Sequence, residues 1–350
     1  NSNGVCSMLD LVSSRAPGSY QDKLSLFLKA ATVGVNAAPA AVWFEVLRVT
    51  GAAAQPPAGG AVYDAQYHDI VYEWHFDDTA NATPRTALNI PDRWKSLNTA
   101  RGRRVAHVFN DPGTYTVTCY AYEPATRRFG SATISVSIGD PDTVFPNSRT
   151  IVYDPNRTAD TRHLARPDVQ VTWAGVIAAR SALGMADARI LLAPGVDLRF
   201  GPGEASIEPY GQSNVRLGAL DPLTAPRPKI TCRGRQGRGP QASLINDRSV
   251  ECGEVVCYDI DFDGEWDSTT ETGRSCRPFN IEKFALAGPE HLMLLHKCKV
   301  EGFQQIAGAI NMSAGNTAHM IMSDCLITNW QNYGLTSAVD NFESYTALLG

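Results

Sequence analysis

A chain of 350 residues is long enough for two domains, and its 43% hydrophobic and 19% charged residues are those of an ordinary globular protein. A formal net charge of −5 excludes a general nucleic-acid binder, which needs a basic face to neutralise phosphates. No apolar run approaches the roughly 18 residues of a membrane span, whereas local basic patches leave acidic polysaccharide open as a partner. The eight cysteines, Cys6, Cys119, Cys232, Cys252, Cys257, Cys276, Cys298 and Cys325, include no C-x-x-C pair, which argues against a tetrahedral zinc site. Cys252 and Cys276 are candidates for a disulfide in a long loop, and Cys298 and Cys325 read as small apolar residues of a ladder.

Residues 1–30 read as an arm or linker. They contain one amphipathic segment, Tyr20–Lys29, which predicts a short helix. The absence of an initiator Met and of a signal-peptide pattern is expected of a processed or fragmentary N-terminus.

From residue 31 to 140 the pattern is period-two alternation broken by Gly and Pro turns, over Ala41–Val46, Ile70–Asp78, Ala106–Tyr120 and Ser131–Ile138. This predicts an antiparallel β-sandwich. The run Tyr72-Glu73-Trp74-His75-Phe76-Asp77-Asp78, followed by His107-Val108-Phe109 and Pro112-Gly113-Thr114-Tyr115-Thr116-Val117-Thr118, resembles a PKD domain, an immunoglobulin-like module of extracellular proteins. That family has a Gly where this chain has Asp77. In the expected core Trp74 and Phe76 point inward from one sheet and Tyr115 and Val117 meet them from the facing one. Asp77 and Asp78 would end the strand by capping its turn, with cation binding as the alternative. The insertion Thr79–Arg104 carries Arg85, Arg93, Lys95, Arg101, Arg103 and Arg104, a solvated loop or a patch for an anionic glycan.

Residues 141–160 are a Pro/Asp/Asn-rich connector, and 161–350 form the second domain. Trp173–Gly184 has helical spacing and a Gly stop, well suited to cover the open end of a stacked core. Short strands then recur at Ala188–Phe200, Asn214–Leu217, Pro228–Cys232, Val255–Phe262, His291–Leu295 and His319–Met322. Ile190 to Val215 and Ile230 to Val255 each span 25 residues, and Met293 to Met320 spans 27. The 15 residues from Val215 to Ile230 put those two strands in one coil, and the 38 from Val255 to Met293 predict an extruded loop around Glu265–Gly273. Cys298 is expected to stack on Cys325 and Val300 on Ile327. The pattern resembles a right-handed parallel β-helix, the architecture of pectate-lyase-like enzymes and phage tailspikes. The strand-like run ending at Ala347–Gly350 lacks a polar cap, which predicts that the natural protein continues or that another subunit covers this end.

Inward Ile260 and Phe262 would send Asp259, Asp261 and Asp263 outward, and inward Val300 would send out Lys297, Lys299 and Glu301. If Ile260 stacks on Val300, Asp259 neighbours Lys299 and Asp261 neighbours Glu301. Asp261 and Glu301 would then have the separation of a retaining glycosidase pair. In a lyase, Lys299 would abstract a proton beside a uronate carboxylate, with Ca²⁺ on Asp261 and Asp263 neutralising the developing charge. The plain alternative is a solvated sheet face with cross-strand ion pairs, which needs no cofactor. Trp266, Phe303, Trp330 and Tyr333 are candidates to stack on sugar rings, with core packing the competing role for Phe303 and Trp330. His291, His296 and His319 lack helical spacing and read as turn or edge residues rather than metal ligands.

Two functions follow as expectations. One is a fibre or spike on a virion or cell surface that binds glycan through Asp259, Asp263, Trp266, Lys297, Trp330 and Tyr333, as a homo-oligomer such as the trimers common among spikes. The other is a polysaccharide lyase or glycoside hydrolase working with Asp261, Lys299 and Glu301.

Overall fold

The computed structural model describes residues 23–32, 35–57, 63–79, 98–183, 188–200, 215–232, 242–247, 254–265, 276–284, 291–305, 310–312, 317–333 and 343–349. The chain is mostly β, with antiparallel sheets followed by parallel ones. It divides into two compact units, Asn1–Thr32 with Ala41–Thr83 and Leu97–Ile138, and Val33–Ala40 with Pro84–Ser96 and Gly139–Gly350.

The first unit holds β1 (Ser25–Thr32), β2 (Ala40–Thr50), a four-residue helix α1 (Ala65–His68), β3 (Val71–His75), β4 (Thr99–Arg101), β5 (Arg104–Phe109), β6 (Gly113–Glu123) and β7 (Arg128–Ile138). One sheet has the order β1-β2-β5 and the other β4-β3-β6-β7. Leu24, Leu26 and Leu28 alternate at period two, so Ser25–Lys29 is strand, not the expected helix. Trp74 pairs with Cys119 across β3 and β6, which puts Tyr115 and Val117 on the same sheet as Trp74 rather than opposite it. The facing ring is Phe44 on β2, 5.6 Å from Trp74 and 5.5 Å from Phe76 between centroids. Asp77 turns the chain at φ 58° and accepts the Thr116 N–H. Asp78 is buried, with its Oδ2 2.9 Å from His107 Nε2. Arg101, Arg103 and Arg104 are tied to Glu73, Asp64 and Glu45, while Arg85, Arg93 and Lys95 lie outside the described residues.

The second unit begins with α2 (Pro141–Val144), β8 (Thr150–Tyr153), β9 (Asp168–Gln170) and α3 (Trp173–Ala182). Then come β10 (Ala188–Leu192), β11 (Asp197–Phe200), β12 (Val215–Ala219), β13 (Lys229–Cys232), β14 (Ala242–Asp247), β15 (Glu254–Tyr258), β16 (Asp261–Asp263) and β17 (Cys276–Phe284). The last are β18 (His291–His296), β19 (Lys299–Gln305), β20 (Ile310–Met312), β21 (Thr317–Ser323), β22 (Leu326–Tyr333) and β23 (Glu343–Leu349). These strands sort into parallel sheets of order β23-β21-β18-β15-β12-β10-β8-β9, β11-β13-β16-β19-β22 and β14-β17-β20, so the chain visits the sheets in rotation. Val215 and Ile230 fall in one such circuit, as their spacing predicts.

Ladders of apolar side chains fill the interior. Ile190, Leu217, Cys257, Leu295 and Met322 stack in register, as do Leu198, Ile230, Phe262, Val300 and Ile327. All belong to or pack against one core cluster. Thr172 caps α3 by accepting the Gly175 N–H, and Val176, Trp173, Ala179 and Leu183 seat the helix on this cluster beside β8 and β9, at one end of the largest sheet. That is the covering role its sequence predicts. The expected 25-residue interval from Ile230 to Val255 does not connect stacked residues: Ile230 pairs with Phe262, and Val255 with Val215.

Candidate functional site: the outward face of the five-stranded sheet

What positions this face is a corner. Val255–Phe262 is not one strand, because Asp259 adopts φ 58° and turns the chain from β15 into β16. Lys297 at φ 53° and Asp324 at φ 53° make the same turn in the next two circuits. Backbone bonds tie the corners together: the Asp259 N–H donates to His296 O at 3.0 Å and the Lys297 N–H to Ser323 O at 2.8 Å. Asp259 and Lys297 are therefore buried corner residues, 7% and 5% exposed, and not outward sugar contacts. The left-handed conformation is one that Asp tolerates better than most residues.

Register carries through the corner unchanged, because Asp259 and Lys297 turn at matching positions and the 38-residue offset that pairs Val255 with Met293 also pairs Asp261 with Lys299. Phe262, not Ile260, pairs with Val300, while Ile260 lies over Cys298 through the Lys299 N–H to Ile260 O bond. Asp261 consequently sits beside Lys299, and Asp263 beside Glu301. Cys298 meets Cys325 and Val300 meets Ile327, as their alignment predicts.

Two outward rows result. The first reads Asp197, Lys229, Asp261, Lys299, Leu326, and the second Arg199, Thr231, Asp263, Glu301, Thr328. Charges alternate along the first row, with neighbours one strand spacing, about 4.8 Å, apart. Arg199 bridges Asp197 at 2.7 Å and Glu265 at 3.0 Å. Arg227 reaches Asp261 at 2.8 Å, Asp259 at 3.6 Å and the Lys297 carbonyl at 2.7 Å. Lys229 lies 3.4 Å from Asp263, whose other oxygen accepts the Glu265 N–H at 2.8 Å. Lys299 donates to Glu301 at 2.5 Å. Burial alone would raise the Asp197 carboxyl, but hydrogen bonds from Thr231 and Arg199 outweigh it and hold the group below the usual carboxylate range.

No family model matches the chain, and no curated protein matches its sequence.

Each of these carboxylates holds a cation. A glycosidase acid needs an apolar setting that favours its neutral form, and Asp263 and Glu301, the carboxylates that neighbour one another, have Lys229 and Lys299 instead. Lys299 as a base would have to leave Glu301. Among the described residues no three His, Cys, Asp or Glu side chains converge as a metal site. Trp266 lies outside the described residues, as does Cys252; Trp330 and Tyr333 lie on β22, paired with Phe303 and Gln305. Phe303 is 1% exposed and belongs to the core, and His296 is buried.

Asp197, Arg199, Arg227, Lys229 and Thr231 are the members that sequence reasoning missed. A signal was present: Asp-Leu-Arg, Lys-Ile-Thr, Asp-Phe-Asp and Lys-Val-Glu, starting at 197, 229, 261 and 299, each flank one inward apolar residue with two polar ones. A distinct cleft of about 620 Å³, lined by Thr158, Asp160, His163, Leu220, Asp221 and Thr224 among others, uses none of these side chains.

Proposed function

We propose that the protein is a polysaccharide-recognising fibre or spike of a cell or virion surface, in which a PKD-like module precedes a right-handed parallel β-helix and glycan lies along the outward face of β11, β13, β16, β19 and β22. One observation carries this reading: apart from the buried Thr231 the face is partly or fully exposed, it is in register over five strands, and its charged groups are paired with one another. A rigid, evenly spaced array of donors and acceptors suits a repetitive polar ligand, and it costs little ordering on binding. The largest sheet does not offer such a face, since both rows of β10 and of β15 are buried. Trimerisation is part of the proposal and is read by sedimentation equilibrium.

Cleavage is the second reading, favoured by the register that puts Asp263 beside Glu301. Incubation with a panel of acidic and neutral polysaccharides, following retention and chain length, separates the two. Retention without shortening supports recognition. Shortening abolished by Asp263→Asn or Glu301→Gln identifies a hydrolase, and unsaturated-sugar absorbance lost in Lys299→Ala identifies a lyase.

A further inference from the structure

The antiparallel unit presents a surface that the reading above does not use. Helix α1 is anchored to the unit by Gln66, only 3% exposed, which donates to the carbonyls of Val49 at 2.8 Å and Ala54 at 3.2 Å and accepts the Val49 N–H at 3.1 Å. The Tyr72 hydroxyl donates to the Gln66 carbonyl at 2.6 Å. Asp64 caps the helix and is itself gripped by Arg103 at 2.6 Å, while the same guanidinium donates to Leu47 O at 2.7 Å. So short a helix has little stability of its own, and these inward bonds hold it in one place.

With Gln66 inward, the aromatic residues around it face water. Tyr63 is 56% and Tyr67 48% exposed, and His68 is exposed as well. The Tyr63 and His68 rings are stacked, 5.1 Å apart at 17°, and Tyr67 meets the same imidazole edge-on at 5.1 Å. The Tyr63 hydroxyl donates to the Asp69 carboxylate at the rim. Aromatic rings left in water forgo their burial, and here buried polar bonds keep them out.

We propose that a sugar ring of a neutral polysaccharide stacks on the outer face of Tyr63, whose inner face is covered by His68, with Tyr67 set edge-on to the same imidazole at its side to complete the platform. Flat faces with polar edges match a pyranose, which has an apolar C–H face and a hydroxyl rim. The carboxylates at the rim are Asp64 and Asp69, and the adjacent cation, Arg103, is already committed, so a uronate chain is repelled while hydroxyl donors are accepted. The platform is independent of the flank of the parallel unit. It is tested by electrophoresis of the full chain through gels cast with glucomannan, xylan, mixed-linkage β-glucan, alginate or polygalacturonate. At least one neutral glycan retards the protein, the Tyr63→Ala/Tyr67→Ala variant binds it about tenfold more weakly, and Tyr63→Phe/Tyr67→Phe keeps most of the retention because the rings remain. Retardation by acidic glycans alone, by none of the five, or equally for the double Ala variant and the native chain overturns the proposal.

Discussion

Replacing Arg216 by Met removes a cation from a deeply buried polar cluster of the parallel unit. Its side chain is 2% exposed, and its partner Glu254 is fully enclosed at 3.2 Å. The guanidinium also donates to the carbonyls of Ala37 at 2.7 Å and Pro39 at 3.1 Å and lies 5.7 Å over the Phe145 ring, while Glu254 accepts the Val35 N–H. Without it two carbonyls lose their donors, at about 1–3 kcal/mol for each that stays dry, and a buried carboxylate loses its countercharge. Breaking one side of a buried pair costs roughly 3–5 kcal/mol in total once the surroundings relax. We expect about 4 kcal/mol, read as a shift in the urea transition of this unit by far-UV circular dichroism. Arg216→Met combined with Glu254→Gln removes the buried negative charge and keeps an acceptor for Val35, so about half the loss returns. A single-variant cost below about 1 kcal/mol, or a double variant no more stable than the single one, would refute the reasoning.

Gly264→Ala brings a Cβ within 2.2 Å of the Gly302 carbonyl oxygen and 2.7 Å of the Phe303 ring, so thermal unfolding should show a loss of about 3 kcal/mol; an unchanged melting temperature would contradict this contact. Burial pushes the thiols of Cys257 and Cys298 well above their ordinary value, so both should resist alkylation at pH 8 in the native protein and react only once it unfolds. Labelling of either at the rate of a free thiol would count against the ladder. The depressed Asp197 carboxyl contributes stability that is present above its unfolded pKa of about 3.9 and is lost as pH falls through the lower folded value. Because the side chain is 35% exposed, Asp197→Asn should cost a few tenths of a kcal/mol at pH 7, and the cost should shrink as pH falls below the unfolded value; a cost that does not change with pH would show that charge is not the cause.

Local pattern made some features readable and hid others. The apolar spacing of Trp173–Gly184 announces α3, and the matched runs around Cys298 and Cys325 announce their stacking, because each signal lies within one segment. Of the segment Tyr20–Lys29, residues 20–22 lie outside the described residues, and for Ser25–Lys29 pairing with β2 decided for strand. The outward rows were half legible. Alternation sends Asp261, Asp263, Lys299 and Glu301 to one face, but their partners depend on where each strand starts. Left-handed corners at Asp259 and Lys297 fall at matching positions, so the 38-residue offset of Val255 and Met293 continues into β16 and β19 and pairs Phe262, not Ile260, with Val300.

The order of residues therefore determined that this chain is mostly β, that short strands alternate polar and apolar faces, and which side chains are made to face out. Only the tertiary structure decided which of those side chains meet. Asp259 and Lys297 went into corners, Arg227 came from outside the strands to hold Asp261, and Asp263 rather than Asp261 became the neighbour of Glu301. The physical reason is that alternation is a property of consecutive residues, whereas register between parallel strands 30 or 40 residues apart is set by backbone hydrogen bonds and by the fit of Phe262 over Val300 in a shared core.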